Sequence, residues 1–203
     1  LGMLSRRSFI ASTRTGFRNR KPMENLGPST KIGEILSVLD EMRQAGIVDK
    51  YAIGGAFAAI LHSEPISTID LDIFFLFKEK QSSLVLSLDS IYEFARARGF
   101  SFDHEFINIH GWLVQFVEAS HSKLWSEAIE NAVVLSIDGR DAFVIDKEHL
   151  VAMWLFAGRA KDYQKIAMFV DAGILDDKRL ANILARHDLL VKWETEKWRF
   201  TNG

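Results

Sequence analysis

Ser67-Thr68-Ile69-Asp70-Leu71-Asp72-Ile73-Phe74-Phe75 is the stretch that decides the fold. Successive side chains of a β-strand point to opposite faces, so Asp70 and Asp72 project from one face while Ile69, Leu71 and Ile73 pack on the other. Two carboxylates then stand side by side. Like charges a few ångströms apart raise each other's pKa unless a cation or a proton neutralises them. Hard divalent metals suit such oxygen pairs, and Mg²⁺ is commonly held by one or two carboxylates together with substrate phosphates. Solvated acids at a strand end are the plainer alternative, but the flanking Ile, Leu and Phe run marks a buried strand, where unpaired acids are disfavoured.

Upstream, Tyr51-Ala52-Ile53 is short and apolar and runs into Gly54-Gly55, which predicts a strand entering a helix over 56–61. Without Cβ a glycine backbone can approach a phosphate closely, and the helix N-terminus offers it free N–H groups. Taken alone the pair reads first as a tight turn. Before it, Ser29-Thr30 caps a helical spacing of Ile32, Ile35, Leu36, Leu39 and Met42 that ends near Gly46. After it, Pro65 forces a break, and the strand carrying Asp70 and Asp72 runs to about Phe77.

Downstream, residues 82–98 read as a helix closed by Gly99. Strands over 102–109 and 112–117 flank His110-Gly111, a hairpin signal because glycine permits the positive φ of short turns. A helix over 124–132 precedes strands over 133–137 and 142–145 around Asp138-Gly139. From Lys147 onward the pattern is helical, giving an α+β layout with no internal repeat.

The chain of 203 residues is 48% hydrophobic, enough for one cored domain with a small helical appendage. It has no cysteine, which excludes thiolate chemistry and disulfides and fits a reducing cytoplasm, and no apolar run approaches a membrane span. A soluble, cytoplasmic protein is expected. Residues 1–22 carry six basic side chains and no acid, whereas residues 23–203 hold 19 basic and 27 acidic residues, so the body is not a basic nucleic-acid binder. Ser5-Arg6-Arg7-Ser8-Phe9-Ile10 looks like a twin-arginine signal, but the apolar segment that must follow is missing. The basic leader is expected to be a disordered extension or an over-long gene start, with Met23 a plausible beginning.

Gly-Gly followed at short range by Thr-x-Asp-x-Asp resembles the signature of the nucleotidyltransferase superfamily, the polymerase-β-like fold that includes minimal nucleotidyltransferases and AbiEii-type toxins. Lys147-Glu148-His149-Leu150-Val151-Ala152-Met153 with Ala157-Gly158-Arg159-Ala160-Lys161-Asp162 is similar to a segment that follows the sheet in many of its uncharacterised members. Gly111-Trp112-Leu113-Val114-Gln115-Phe116-Val117 resembles a strand of one branch. The resemblance spans about residues 48–170.

It implies a mixed β-sheet flanked by helices with a C-terminal helical segment. Residues 1–28 would be the extension, 29–146 the α/β core and 147–203 the helices packed on it. It implies Mg²⁺ held by Asp70 and Asp72, and a triphosphate cradled by Gly54, Gly55 and Thr68. Independently, Arg159 and Lys161 near a helix start offer cations suited to phosphate, with Asp162 placed to orient one of them. The reaction implied is transfer of a nucleoside monophosphate from an NTP to the hydroxyl of an RNA, a protein or a small molecule.

Two departures qualify it. The position where active relatives supply a third carboxylate is Gln115, which has no charge and cannot act as base. Glu118 lies three residues on and faces the other side by strand parity, leaving Asp103 and Glu105 as further stand-ins. Ile66 replaces an Arg of many relatives. The alternative is therefore a degenerate member that binds nucleotide without turnover and works through a protein partner, for example in a toxin-antitoxin pair. An Asp-nucleophile phosphatase is disfavoured because Thr68 precedes the acids. His104, His110, His121 and His149 lack metal-ligand spacing, and Trp193 and Trp198 suit a core or interface.

Overall fold

The computed structural model describes residues 32–63, 70–77 and 88–201. The expectations for the leader, the Ser29-Thr30 cap, Pro65, Ile66, Thr68 and the start of the helix over 82–98 lie outside these residues. Helix α1 (Ile32–Gln44) buries the face carrying Ile35, Leu36, Leu39 and Met42, the stripe its helical spacing predicts. Strand β1 (Lys50–Ile53) leads straight into helix α2 (Gly55–His62). Strand β2 (Asp70–Leu76) alternates half-buried Asp70, Asp72, Phe74 and Leu76 with fully buried Leu71, Ile73 and Phe75. Helix α3 (Asp89–Ala97) follows.

The single strand expected over 102–109 is two strands, β3 (Ser101–Asp103) and β4 (Phe106–Ile109). His104 between them takes a left-handed conformation with φ 54°, which turns the chain back on itself. Strand β5 (Trp112–Glu118) follows the expected hairpin, with φ 53° at His110 and 90° at Gly111. Helix α4 (Lys123–Glu130) then leads to strands β6 (Val133–Ile137) and β7 (Arg140–Val144), joined through Asp138-Gly139, both at positive φ. Helices α5 (Lys147–Ala157), α6 (Ala160–Asp171), α7 (Asp177–Arg186), α8 (Leu190–Glu196) and α9 (Trp198–Thr201) complete the chain.

The described strands form one seven-stranded sheet in the order β3-β4-β5-β2-β1-β7-β6. It is mixed: β2 runs parallel to β5 and antiparallel to β1, while β1 runs parallel to β7. The architecture is thus the expected α+β arrangement of a mixed sheet flanked by helices, with a helical C-terminal segment. Phe57 of α2 meets Trp112 on one face of the sheet, and Trp125 of α4 meets Phe74 on the other, each ring pair 5.7 Å apart. No helix among the described residues is long and apolar enough to cross a membrane.

A chain of polar groups with buried Asp146 and His149 at its centre binds α4, α5 and α7 together. Asp146 caps α5 by accepting the His149 backbone N–H at 3.0 Å and the His149 Nδ1 at 2.7 Å, and Arg179 Nη2 donates to it at 2.6 Å. His149 Nε2 lies 3.4 Å from Glu127, which also accepts from Arg186 and, at 2.8 Å, from His187. Arg186 foremost holds the Glu127 carboxyl down to about 2. Burial pushes Asp146 upward, but its hydrogen bonds from His149 and the nearby Arg179 outweigh that and bring it to about 2.

Candidate active site

The turn from β1 into α2 is built around the side chains of β2. The Gly54 N–H donates to the Asp72 carbonyl at 2.9 Å. A Cβ at Gly54 would lie 2.4 Å from the Phe74 ring, and one at Gly55 would lie 1.7 Å from Asp72 Oδ2. Gly55 also has φ +60°, a conformation that costs other L-residues steric strain. The two glycines thus serve first to let Asp72 and Phe74 lie against the backbone. The Asp72 carboxylate occupies the space beside Gly55, at the positive end of α2.

Burial foremost, and then the neighbouring Asp70, push the Asp72 carboxyl above the ordinary carboxylate range. Lys165, Lys161 and Arg159, in that order, act against the rise. The segment after the sheet therefore comes back to the paired acids. Arg159 precedes α6 and donates from Nε to Asp162 at 2.6 Å. Asp162 is wholly buried and also pairs with Lys165 at 3.5 Å, so it orients two cations at once. The Lys165 ammonium lies 5.4 Å from the Trp154 ring centre, a cation–π contact that fixes the long side chain.

Lys165 is the residue that the sequence reading missed. Its signal was available: it lies four residues beyond Lys161 and three beyond Asp162, one face of α6. What that spacing does not reveal is which way the face points.

The parallel pairing of β2 with β5 puts Gln115 directly beside Asp72, and register partners share a face. Glu118 pairs instead with Phe75, on the opposite face, without a bulge in the ladder. It accepts the Ser120 N–H at 2.7 Å and lies 3.5 Å from His121. Asp103 shares the row of Asp72 through Phe106 and Gln115, but it stands three strands away, about 14 Å at the usual strand spacing. Glu105 is exposed in the turn beyond β3. The structure therefore brings together Gly54, Gly55, Asp70, Asp72 and Gln115, with Arg159 and Lys161 acting on Asp72 through their charge, and sets Glu118, Asp103 and Glu105 apart.

Two carboxylates of hard oxygen character on one strand face, with a backbone cradle too tight for a Cβ, fit a Mg²⁺ ion that would take its remaining ligands from phosphate and water. Among the described residues no group of three or more His, Cys, Asp or Glu side chains is arranged to hold a metal alone. The surface hollows lined by Arg43 and Asp49 lie at the start of β1, the end remote from Gly54.

No family model matches the chain, and no curated protein matches it. Its structure is similar to that of an antigenic nucleotidyltransferase-like protein from Paracoccidioides brasiliensis, at 16% identity and a TM-score of 0.48 over 85% of this chain and 93% of that one. It is also similar to the antibiotic-resistance factor ANT(2'')-Ia, at 14% identity and a TM-score of 0.47 over 85% and 96% of the two chains. A third similar structure is a putative nucleotidyltransferase from Thermotoga maritima, at 14% identity and a TM-score of 0.37 over 70% and 96%. At such identities the chemistry of this chain rests on its own residues.

Proposed function

We propose that this chain is a Mg²⁺-dependent nucleotidyltransferase that moves a nucleoside monophosphate from an NTP to an acceptor hydroxyl. The observation that carries the reading is Asp72: its carboxylate, seated against Gly55 next to Asp70, lies in the field of Lys165, Lys161 and Arg159. Paired acids facing a cluster of cations suit a polyanion that arrives with its own counter-cation.

In this reading the acceptor oxygen bonds to the α-phosphorus, the bond to the β-phosphate bridge breaks, pyrophosphate leaves and the hydroxyl proton passes to solvent. Bound Mg²⁺ would neutralise phosphate charge and stabilise the oxygens that change bonding. Asp70 and Asp72 hold that cation. Arg159 and Lys161, with Lys165, neutralise the triphosphate, and the N-terminus of α2 with Gly54 and Gly55 adds backbone donors. Thr68 belongs to the triphosphate cradle in the same proposal. The acceptor is an RNA, a protein side chain or a small molecule.

Gln115 favours a second reading, a nucleotide-binding module without turnover that acts through a protein partner such as the other half of a toxin-antitoxin pair. Its amide stands beside Asp72, where a carboxylate would serve as metal ligand and base.

Transfer of label from α-³²P NTPs to cellular RNA, protein and small-molecule fractions separates the two. Slow transfer by the wild type, loss in Asp72→Asn and a gain of about 10²- to 10⁴-fold in Gln115→Asp are expected, the usual worth of a positioned base. Transfer unchanged in Asp72→Asn would contradict the assignment, and none by wild type or Gln115→Asp would favour the binding module.

A further inference from the structure

The neutral residue beside Asp72 bears on how many cations the site can hold. Two divalent ions a few ångströms apart repel each other four times as strongly as two unit charges at the same distance, since the energy scales with the product of the charges. Sites that hold such a pair offset the repulsion with anionic ligands shared between the ions. Here the described carboxylates at the site are Asp70 and Asp72 alone, because Gln115 fills the adjoining position of β5 and Glu118 belongs to the opposite face. Asp103 stands too far along the row.

The same face already carries positive charge from α6. Lys165 is held by the buried Asp162 carboxylate at 3.5 Å and by the Trp154 ring, with its side chain only 17% exposed. Arg159 shares that carboxylate at 2.6 Å. Asp162 cancels part of the charge of Lys165 and Arg159, and with Lys161 the segment keeps a net positive charge that offsets the two acids before any metal or phosphate arrives.

We infer that the site binds a single divalent cation with its nucleotide, because Gln115 stands beside Asp72 where a second ion would need a further anionic ligand. The inference rests on the nucleotide-site reading above. Gln115 is what limits the count.

The test is metal stoichiometry on the full chain, with Mn²⁺ as the probe and a non-hydrolysable α,β-methylene NTP present. Calorimetry counts bound ions per chain, and electron paramagnetic resonance reports the spin coupling of a close ion pair. One uncoupled Mn²⁺ per chain is expected for the wild type, and two coupled ions for Gln115→Asp. Gln115→Glu, nearly the same shape, replaces that variant if it does not fold.

Two coupled ions in the wild type would overturn the inference and leave the nucleotide site standing. One ion in both the wild type and the carboxylate variants would overturn the role of Gln115. Absence of any metal-dependent nucleotide binding would overturn the site reading and this inference with it.

Discussion

Asp72 is held in a form that costs the unliganded protein stability. Burial foremost and Asp70 next raise its carboxyl above the ordinary value of 3.8, so the native state binds this proton more tightly than the unfolded chain does. Stability therefore falls as pH rises from the ordinary value through the folded one, and the penalty is fully present above the latter. Asp72→Asn is expected to raise the Tm at pH 7 in chelator, by about 2–4 °C per kcal/mol recovered in a chain of this size. The gain should vanish below pH 3.8, where both states are protonated. Thermal melts at both pH values check it; a lowered Tm at pH 7 would contradict it.

Lys165 carries a second prediction at this scale. Lys165→Met should weaken metal-dependent NTP binding by about 10- to 100-fold, the worth of a hydrogen bond to a charged group, about 1.5–3 kcal/mol. Arg159→Ala should cost less, because that side chain is 60% exposed and screened by solvent. Equilibrium titration ranks the two. Asp70, Asp72 and the glycines were legible in the sequence because strand parity and the lack of Cβ are local properties. Lys165 was not, because its role depends on how α6 docks against a strand far away in the chain.

Among the elements, α5 is tied to α4 and α7 by Asp146, His149 and Glu127. Asp146 and Glu127 are both depressed to about 2 from ordinary values of 3.8 and 4.5, so their stabilisation is present above those ordinary values and is lost as pH falls toward 2. Acid unfolding followed by circular dichroism should begin below about pH 4.5, and Asp146→Asn should flatten the dependence between those limits. Asp146→Ala removes the cap of α5 and leaves His149 only its longer contact to Glu127 and Arg179 only its longer contact to Glu148; it is expected to cost about 3 kcal/mol, with a Tm lower by about 6–12 °C. A shift of under about 1 °C would show that the cluster is not a clamp.

The hairpin at His110-Gly111 and the turn at Asp138-Gly139 were readable because glycine marks positive φ. The break between β3 and β4 was not, since His104-Glu105 lacks such a residue and apolar residues continue on both sides of it. Register was also beyond the sequence. That Gln115 and not Glu118 adjoins Asp72 follows from strand parity only once β5 is known to lie parallel beside β2 without a bulge.

Across the whole molecule, the sheet gathers segments distant in sequence at one end. The exit of β1, the start of β2 and the middle of β5 meet there, and α6 adds its charge, so the acids and the cations that act on them come from segments far apart in the chain. Residues 23–203 carry 19 basic and 27 acidic side chains, and the positive charge at the site is local against that acidic background. A compact polyanion bridged by a metal suits such a surface better than an extended nucleic acid held by its phosphates.

In the proposed function Asp70 and Asp72 bind nucleotide through a divalent cation. Isothermal titration of the full chain with NTP, with and without Mg²⁺, tests it most directly, because triphosphate and paired acids repel each other unless a cation bridges them. NTP binding that requires Mg²⁺ in the wild type and loses that requirement in Asp70→Ala with Asp72→Ala is the expected result. Equal affinity with and without the metal would contradict the account.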